Sequence, residues 1–157
     1  MSDEEFLTAY GKNKNTVYSV ILNYVRNADD ASELTQDTFM KLYGYEGKFD
    51  SDEHIKAWLI RVAINGCKNF VRSRKHPPGS DVSYEPFSED KYEFDEIVNK
   101  VMALPEKYRI PVHLFYYEEY SIPEIASILG LSEAAVKTRL KRGRDKLRES
   151  LRKEDWI

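Results

Sequence analysis

The chain has 157 residues, 41% hydrophobic and 32% charged, with a mean hydropathy of -0.62. That length suits one domain or two small ones, and no run of ~20 apolar residues is present to cross a bilayer. One cysteine, Cys67, excludes an internal disulfide framework and a multi-cysteine zinc site, and His54, His76 and His113 lack metal-ligand spacing. No cofactor and no metal are therefore expected. The acidic start, MSDEEF, lacks the apolar core of a secretory signal, so a cytoplasmic protein without membrane insertion is expected.

The net charge of -3 is unevenly spread. Residues 1–75 carry 11 basic and 11 acidic side chains, residues 76–93 carry 1 and 5, and residues 94–157 carry 12 and 11. Within the last part, Val136 to Lys153 hold 9 basic residues against 2 acidic ones. Local field matters more than the global sum for attracting phosphate. An acidic whole with one basic stripe points to DNA binding that is weak alone and needs a helper.

The elements read as helices throughout. A short one spans Glu4 to Tyr10. Val17, Val20, Ile21, Tyr24 and Val25 give a second apolar stripe, and Leu34, Thr38, Phe39, Leu42 and Tyr43 a third, from about Ala31 to Tyr45. Ile55, Trp58, Leu59, Val62, Ala63 and Phe70 recur at helical spacing, with Asp52 as N-cap and Trp58 and Leu59 facing the core. Cys67 falls near that apolar side and reads as a core thiol. The stretch KHPPGSDVSYEPFSEDKY follows, with three of the six prolines and no apolar period, and reads as a flexible linker. Beyond it, Ile97, Val101 and Leu104 precede Pro105, and Ile110, Leu114 and Tyr117 follow. No stretch alternates with period two for long enough to make a sheet. The expected fold is all-α: an N-terminal helical bundle (1–75), a linker (76–93) and a C-terminal helix-turn-helix domain (94–157).

The sharpest local signal is SIPEIASILGLSEAAVKTRLKRGRDKLRESL, Ser121 to Leu151. Ser121 and Glu124 form a capping box, and Pro123 sits in the first turn, where its missing N–H costs little. Gly130 is placed to end the helix in the left-handed conformation, and Ser132 to cap the next. Ala126, Gly130 and Val136 have the spacing that two helices joined by a tight turn require. Such a unit lays its second helix in the DNA major groove. That helix carries Lys137, Thr138, Arg139, Lys141, Arg142 and Arg144. Lysine and arginine donate to guanine edges or hold phosphate. A charged run is usually a solvated face. Here it is one-signed and begins directly after the turn, which favours DNA contact.

Two N-terminal segments also stand out. In DASELTQDTFMKLY, Asp30, Glu33 and Asp37 share one helix side with Leu34 and Gln36 beside them; such a face either docks a partner or simply meets solvent, and taken alone the latter is the commoner case. In HIKAWLIRVAINGCKNFVRSRK, Arg61, Asn65, Lys68, Asn69 and Arg72 form a polar, basic face. Between the two lies GYEGKFDSDE, a polar loop with an aromatic at its middle, of a kind that receives an unstacked base. No P-loop, HExxH or G-x-S-x-G motif occurs, so no catalytic residues are expected and the chain does not read as an enzyme. An ordinary helix-turn-helix regulator that dimerises on a palindromic duplex is the main rival.

The order D-D-A-S-E-L-T-Q-D-T-F, W-L-I-R-V-A-I-N, linker, L-P-E-K-Y-R and helix-turn-helix resembles the extracytoplasmic-function sigma factors of bacteria, over about residues 5–151. The resemblance implies binding to core RNA polymerase, through its β′ clamp and its β subunit, and to promoter DNA. In that family the helix matching Asp30 to Tyr43 docks on the clamp coiled coil, with Asp30, Leu34, Gln36, Asp37 and Phe39 at matching positions. The loop and helix matching Lys48 to Lys75 melt the minus-ten element. Asn65 there matches a base-pocket residue, Arg61, Lys68, Asn69 and Arg72 match strand contacts, and Arg72, Arg74 and Lys75 end the helix as a basic cluster. Lys137, Lys141 and Arg142 match base-reading positions for the minus-thirty-five element, and Thr138, Arg139 and Arg144 match backbone contacts. The linker would thread toward the polymerase active site. An anti-sigma factor, often membrane-bound, is the implied inhibitor. Gly143 departs from the family's usual alanine and should cost about 1 kcal/mol of helix stability.

Overall fold

The computed structural model describes residues 1–73 and 95–155; the segment read as a linker (76–93) and the basic residues Arg74 and Lys75 lie outside them. The described residues hold seven helices and no strand: α1 (Asp3–Val25), α2 (Ala28–Tyr43), α3 (Asp52–Ser73), α4 (Asp95–Met102), α5 (Glu106–Tyr116), α6 (Ile122–Leu129) and α7 (Glu133–Asp155). The fold is all-α, as the patterning implied. The helices fall into two compact units, α1–α3 and α4–α7.

In the first unit all three helices pack on one another. Val17, Val20 and Ile21 of α1 meet Leu42 of α2 and Leu59, Ile60, Ala63, Ile64 and Cys67 of α3, all essentially removed from solvent. Burying each large aliphatic side chain contributes about 1.5–3 kcal/mol. The expected short helix over Glu4 to Tyr10 is not separate. It runs on as α1 through GKNKNT, because buried Asn13 turns inward and donates from Nδ2 to the Ala9 carbonyl at 2.9 Å. That polar stretch carries no apolar period, so nothing in the sequence bridged the two stripes. Ser2 caps α1, its Oγ accepting from Glu5 N at 3.1 Å. Left-handed Arg26 (φ 58°) ends it, and Asn27 starts α2 by accepting from Asp30 N at 3.0 Å.

The start of α3 also differs from expectation. Ser51, not Asp52, acts as cap, accepting from His54 N at 3.1 Å. Asp52 instead reaches Lys12 of α1 at 2.8 Å. Its hydrogen bond and charge hold the Lys12 ammonium above its ordinary pKa.

In the second unit α5 packs on α4, α6 and α7, and α6 packs on α7. The core is Val101, Met102, Leu104, Tyr108, Ile110, Val112, Leu114, Ile125, Ile128, Val136 and Leu140. Ile97 and Tyr117, expected on the apolar stripes, are each about half exposed (49% and 47%). Arg109 is buried and donates from Nη1 to the Leu104 carbonyl at 2.8 Å, closing the turn between α4 and α5. Among the described residues no helix is long and apolar enough to cross a membrane.

Candidate nucleic-acid and docking interfaces

The helix-turn-helix forms through the expected local chemistry. Ser121 Oγ accepts from Glu124 N at 3.2 Å, and Ser121 N donates to Glu124 Oε1 at 3.0 Å. Gly130 sits at φ 68°, where a Cβ would be strained, and its N–H closes on the Ala126 carbonyl. Ser132 caps α7, accepting from Ala135 N at 3.1 Å. Ile125, Ala126, Ile128, Val136 and Leu140 lock the two helices together.

This packing gives α7 an inner and an outer line. Val136, Leu140 and Gly143 are buried, whereas Lys137, Thr138, Lys141, Arg142 and Arg144 are exposed and Arg139 is half-buried. At 100° per residue, Lys137, Thr138, Lys141 and Arg142 fan out on the side opposite the core. Arg139 lies on one flank and Arg144 on the other. The outer line also carries Asp145, which lies 3.9 Å from Arg148.

Gly143 gains a meaning the sequence did not disclose. A Cβ there would lie 2.8 Å from Val112 Cγ2 and 3.4 Å from Tyr108 Cβ. The glycine is where α7 closes on α5. Around this contact, α5 offers two phenols. Tyr116 Oη accepts from Arg144 Nη1 at 3.2 Å. Burial pushes the Tyr108 phenol up, but donors from Lys107 and Arg142 outweigh it and hold the group below its ordinary pKa. Lys107 and Lys146 also lie 5.1 and 5.7 Å from the Tyr108 ring centre.

On α3, Arg61, Asn65, Asn69 and Arg72 are exposed and Lys68 is half-buried. All five fall on the side opposite Leu59, Ala63 and Cys67. Trp58 shares this side, seven residues before Asn65. Expected in the core, it is half-buried in an aromatic cluster. Its ring centre lies 4.9 Å from Tyr45 and 5.7 Å from Phe49, and Phe49 meets His54 edge-on at 5.1 Å. The Tyr45 ring covers Gly47 so closely that a Cβ there would overlap it. The loop after α2 is thus aromatic at both its start and its middle. Tyr45 and Trp58 thus join the candidate face, which the sequence pattern marked only by its polar residues; the seven-residue spacing of Trp58 and Asn65 is the signal that places Trp58 there.

On α2 the five docking candidates divide. Gln36 and Asp37 are exposed and Asp30 is half-buried, but Leu34 and Phe39 are buried. Phe39 packs edge-on against Tyr10 at 4.9 Å, and Phe6 meets Tyr43 at 5.1 Å. Phe39 therefore anchors α2 to α1 and Leu34 is buried in the bundle, since the apolar stripe that forms the helix is spent on its own core. Met40, one turn after Asp37 and 66% exposed, takes their place on the outer face.

Two family models match the chain. Sigma-70 region 2 covers residues 9–76, and sigma-70, region 4, covers residues 94–147. A bundle with a polar, basic face followed by a helix-turn-helix unit is thus the two-region arrangement of a sigma-70 protein. Among curated proteins, the ECF RNA polymerase sigma factor SigW of Bacillus subtilis is 30% identical over 158 residues, covering 88% of this chain and 84% of its own length. RNA polymerase sigma factor SigV of the same organism is 29% identical over 153 residues, covering 95% and 92%. The chain belongs to the ECF RNA polymerase sigma factors. Among solved structures, the sigma factor RpoE in complex with the anti-sigma factor NepR from Bartonella quintana has the same fold, with a TM-score of 0.78 at 20% identity over 95% of this chain and 98% of that one. CnrH, in complex with the cytosolic domain of CnrY, follows at 0.70 and 22%, covering 96% and 89%. As a sigma factor, the protein binds core RNA polymerase and directs promoter-specific initiation of transcription.

Proposed function

We propose that the two cationic helix faces divide promoter recognition between them. The outer line of α7 reads the upstream, minus-thirty-five element: Lys137, Lys141 and Arg142 reach base edges, and Thr138, Arg139 and Arg144 hold the backbone. The α3 face reads and melts the minus-ten element. Asn65 and the Tyr45–Phe49–Trp58 cluster take an extruded base, and Arg61, Lys68, Asn69 and Arg72 hold its strand. The outer face of α2, through Asp30, Gln36, Asp37 and Met40, docks on the β′ clamp of polymerase. Residues 1–75 then act as the polymerase-binding and melting module, 76–93 as the tether and 94–157 as the upstream module. The observation that carries this reading is the separation of α7 into a buried apolar line and an exposed line rich in Lys and Arg.

The protein is a transcription factor that works in the cytoplasm without catalysis of its own. Two modest DNA contacts become one strong one when polymerase fixes their separation, because the second association is then intramolecular. An anti-sigma factor would act by covering these faces, as in a similar solved structure the sigma factor RpoE is bound by the anti-sigma factor NepR.

The test is transcription in vitro with core polymerase and a promoter library. Lys137→Ala or Arg142→Ala should cost about 1–3 kcal/mol at the upstream element and relax preference there. An equal loss on every sequence would assign these residues to phosphate instead. A chain that starts no transcript with any library member would refute the reading.

A further inference from the structure

α5 presents Tyr108, Val112 and Tyr116 in one row, four residues apart, toward α7. The middle residue packs on Gly143, with a virtual Cβ only 2.8 Å from Val112 Cγ2. Tyr116 reaches Arg144, the residue after that glycine. Tyr116 Oη accepts from Arg144 Nη1 at 3.2 Å. The Tyr116 ring is itself held edge-on by Phe115 at 4.9 Å. Neither phenol stands out in the sequence pattern.

We propose that Tyr116 is a positioning residue, which fixes the guanidinium group of Arg144 before DNA arrives. The inference rests on the reading that α7 holds DNA. An exposed arginine is otherwise a long side chain with several free torsions, and ordering it on binding weakens the complex. A neutral phenol acceptor removes part of that ordering cost. It uses only one of the five guanidinium donors and leaves the charge intact, so the remaining donors stay open to phosphate or base. A carboxylate partner would do the same ordering but cancel the positive field. Tyr116 orders without neutralising.

The experiment is anisotropy titration of the full chain against a short mixed-sequence duplex over a range of salt concentrations. Arg144→Ala should weaken binding and reduce the slope of log affinity against log salt by about 0.9, the signature of one lost phosphate contact. Tyr116→Phe keeps every charge, so it should leave that slope unchanged while weakening binding about three- to tenfold. The double variant Tyr116→Phe/Arg144→Ala should bind no worse than Arg144→Ala alone. Wild-type affinity for Tyr116→Phe, or losses that multiply in the double variant, would overturn the positioning role. If Arg144→Ala itself changes neither affinity nor slope, or the chain binds no duplex, the DNA reading of that arginine fails and the proposal with it. A loss for Arg144→Ala without a loss for Tyr116→Phe defeats the positioning role alone. A thermal melt of Tyr116→Phe that matches wild type separates this effect from a folding defect.

Discussion

Replacing Gly143 with alanine sets two effects of opposite sign against each other. Alanine in a helix interior is favoured over glycine by about 1 kcal/mol. The new methyl, however, would sit 2.8 Å from Val112 Cγ2, well inside the ~3.5–4.0 Å optimum for two carbons. Val112 is 2% exposed and β-branched, so in a helix it has one strongly preferred rotamer and cannot swing clear. α7 must lift from α5, and overpacking of this kind costs about 1–3 kcal/mol. The net expectation is a loss of roughly 1 kcal/mol in the α4–α7 unit. In a Val112→Ala background the obstructing methyls are gone. There the same Gly143→Ala change should stabilise by about 1 kcal/mol. Hydrogen exchange of the α5 and α7 amides in the full chain reads this unit without interference from α1–α3. Stabilisation by Gly143→Ala in the wild-type background would refute the argument and return Gly143 to the status of a plain helix-weakening residue.

Glu119 has φ 60° and is exposed, so Glu119→Gly should relieve left-handed backbone cost and raise stability by about 0.5–1 kcal/mol, checked by thermal unfolding; a loss would show that the Glu119 side chain matters more than its backbone. Burial, with the carboxylates of Glu118 and Glu124 nearby, raises the Tyr120 phenol far above its ordinary pKa. The folded state therefore keeps its proton longer than the unfolded chain. Stability from this group is complete below about pH 10 and falls as pH rises beyond it. Tyr120→Phe should flatten that alkaline decline in unfolding free energy, and an unchanged decline would assign it to other groups. Met40→Ala should weaken binding to core polymerase at least tenfold in a pull-down titration. Its melting temperature should be unchanged, since the side chain is 66% exposed; wild-type affinity would remove Met40 from the docking face.

The helices of this protein were legible wherever caps and apolar spacing agreed. Ser121, Glu124, Gly130 and Ser132 are local devices, each acting within four residues, so the helix-turn-helix was readable almost to the residue. The continuity of α1 was not, because Asn13 satisfies its amide against the Ala9 carbonyl of its own helix, a use of a polar residue that hydropathy spacing does not register. The choice between Ser51 and Asp52 as cap turned on Lys12, forty residues away, which draws Asp52 aside. The α3 face was visible because polar residues recur on one side of a single helix. Its aromatic end was hidden, since Tyr45 and Phe49 join Trp58 only when the loop folds back. Likewise, no single-helix pattern distinguishes Leu34 and Phe39, which serve the bundle, from Met40, which faces outward. Gly143 and the α5 phenols depend on the approach of two helices and leave no one-dimensional trace.

The division of α7 has an evolutionary corollary. Val136, Leu140 and Gly143 bear the mechanical duty of joining the helix to its scaffold, while Lys137, Thr138 and Lys141 bear none. Mutation can rewrite the second set without endangering the first. On the proposed reading of α7, a duplicated copy thereby acquires a new set of target operons through a handful of surface exchanges, its architecture intact.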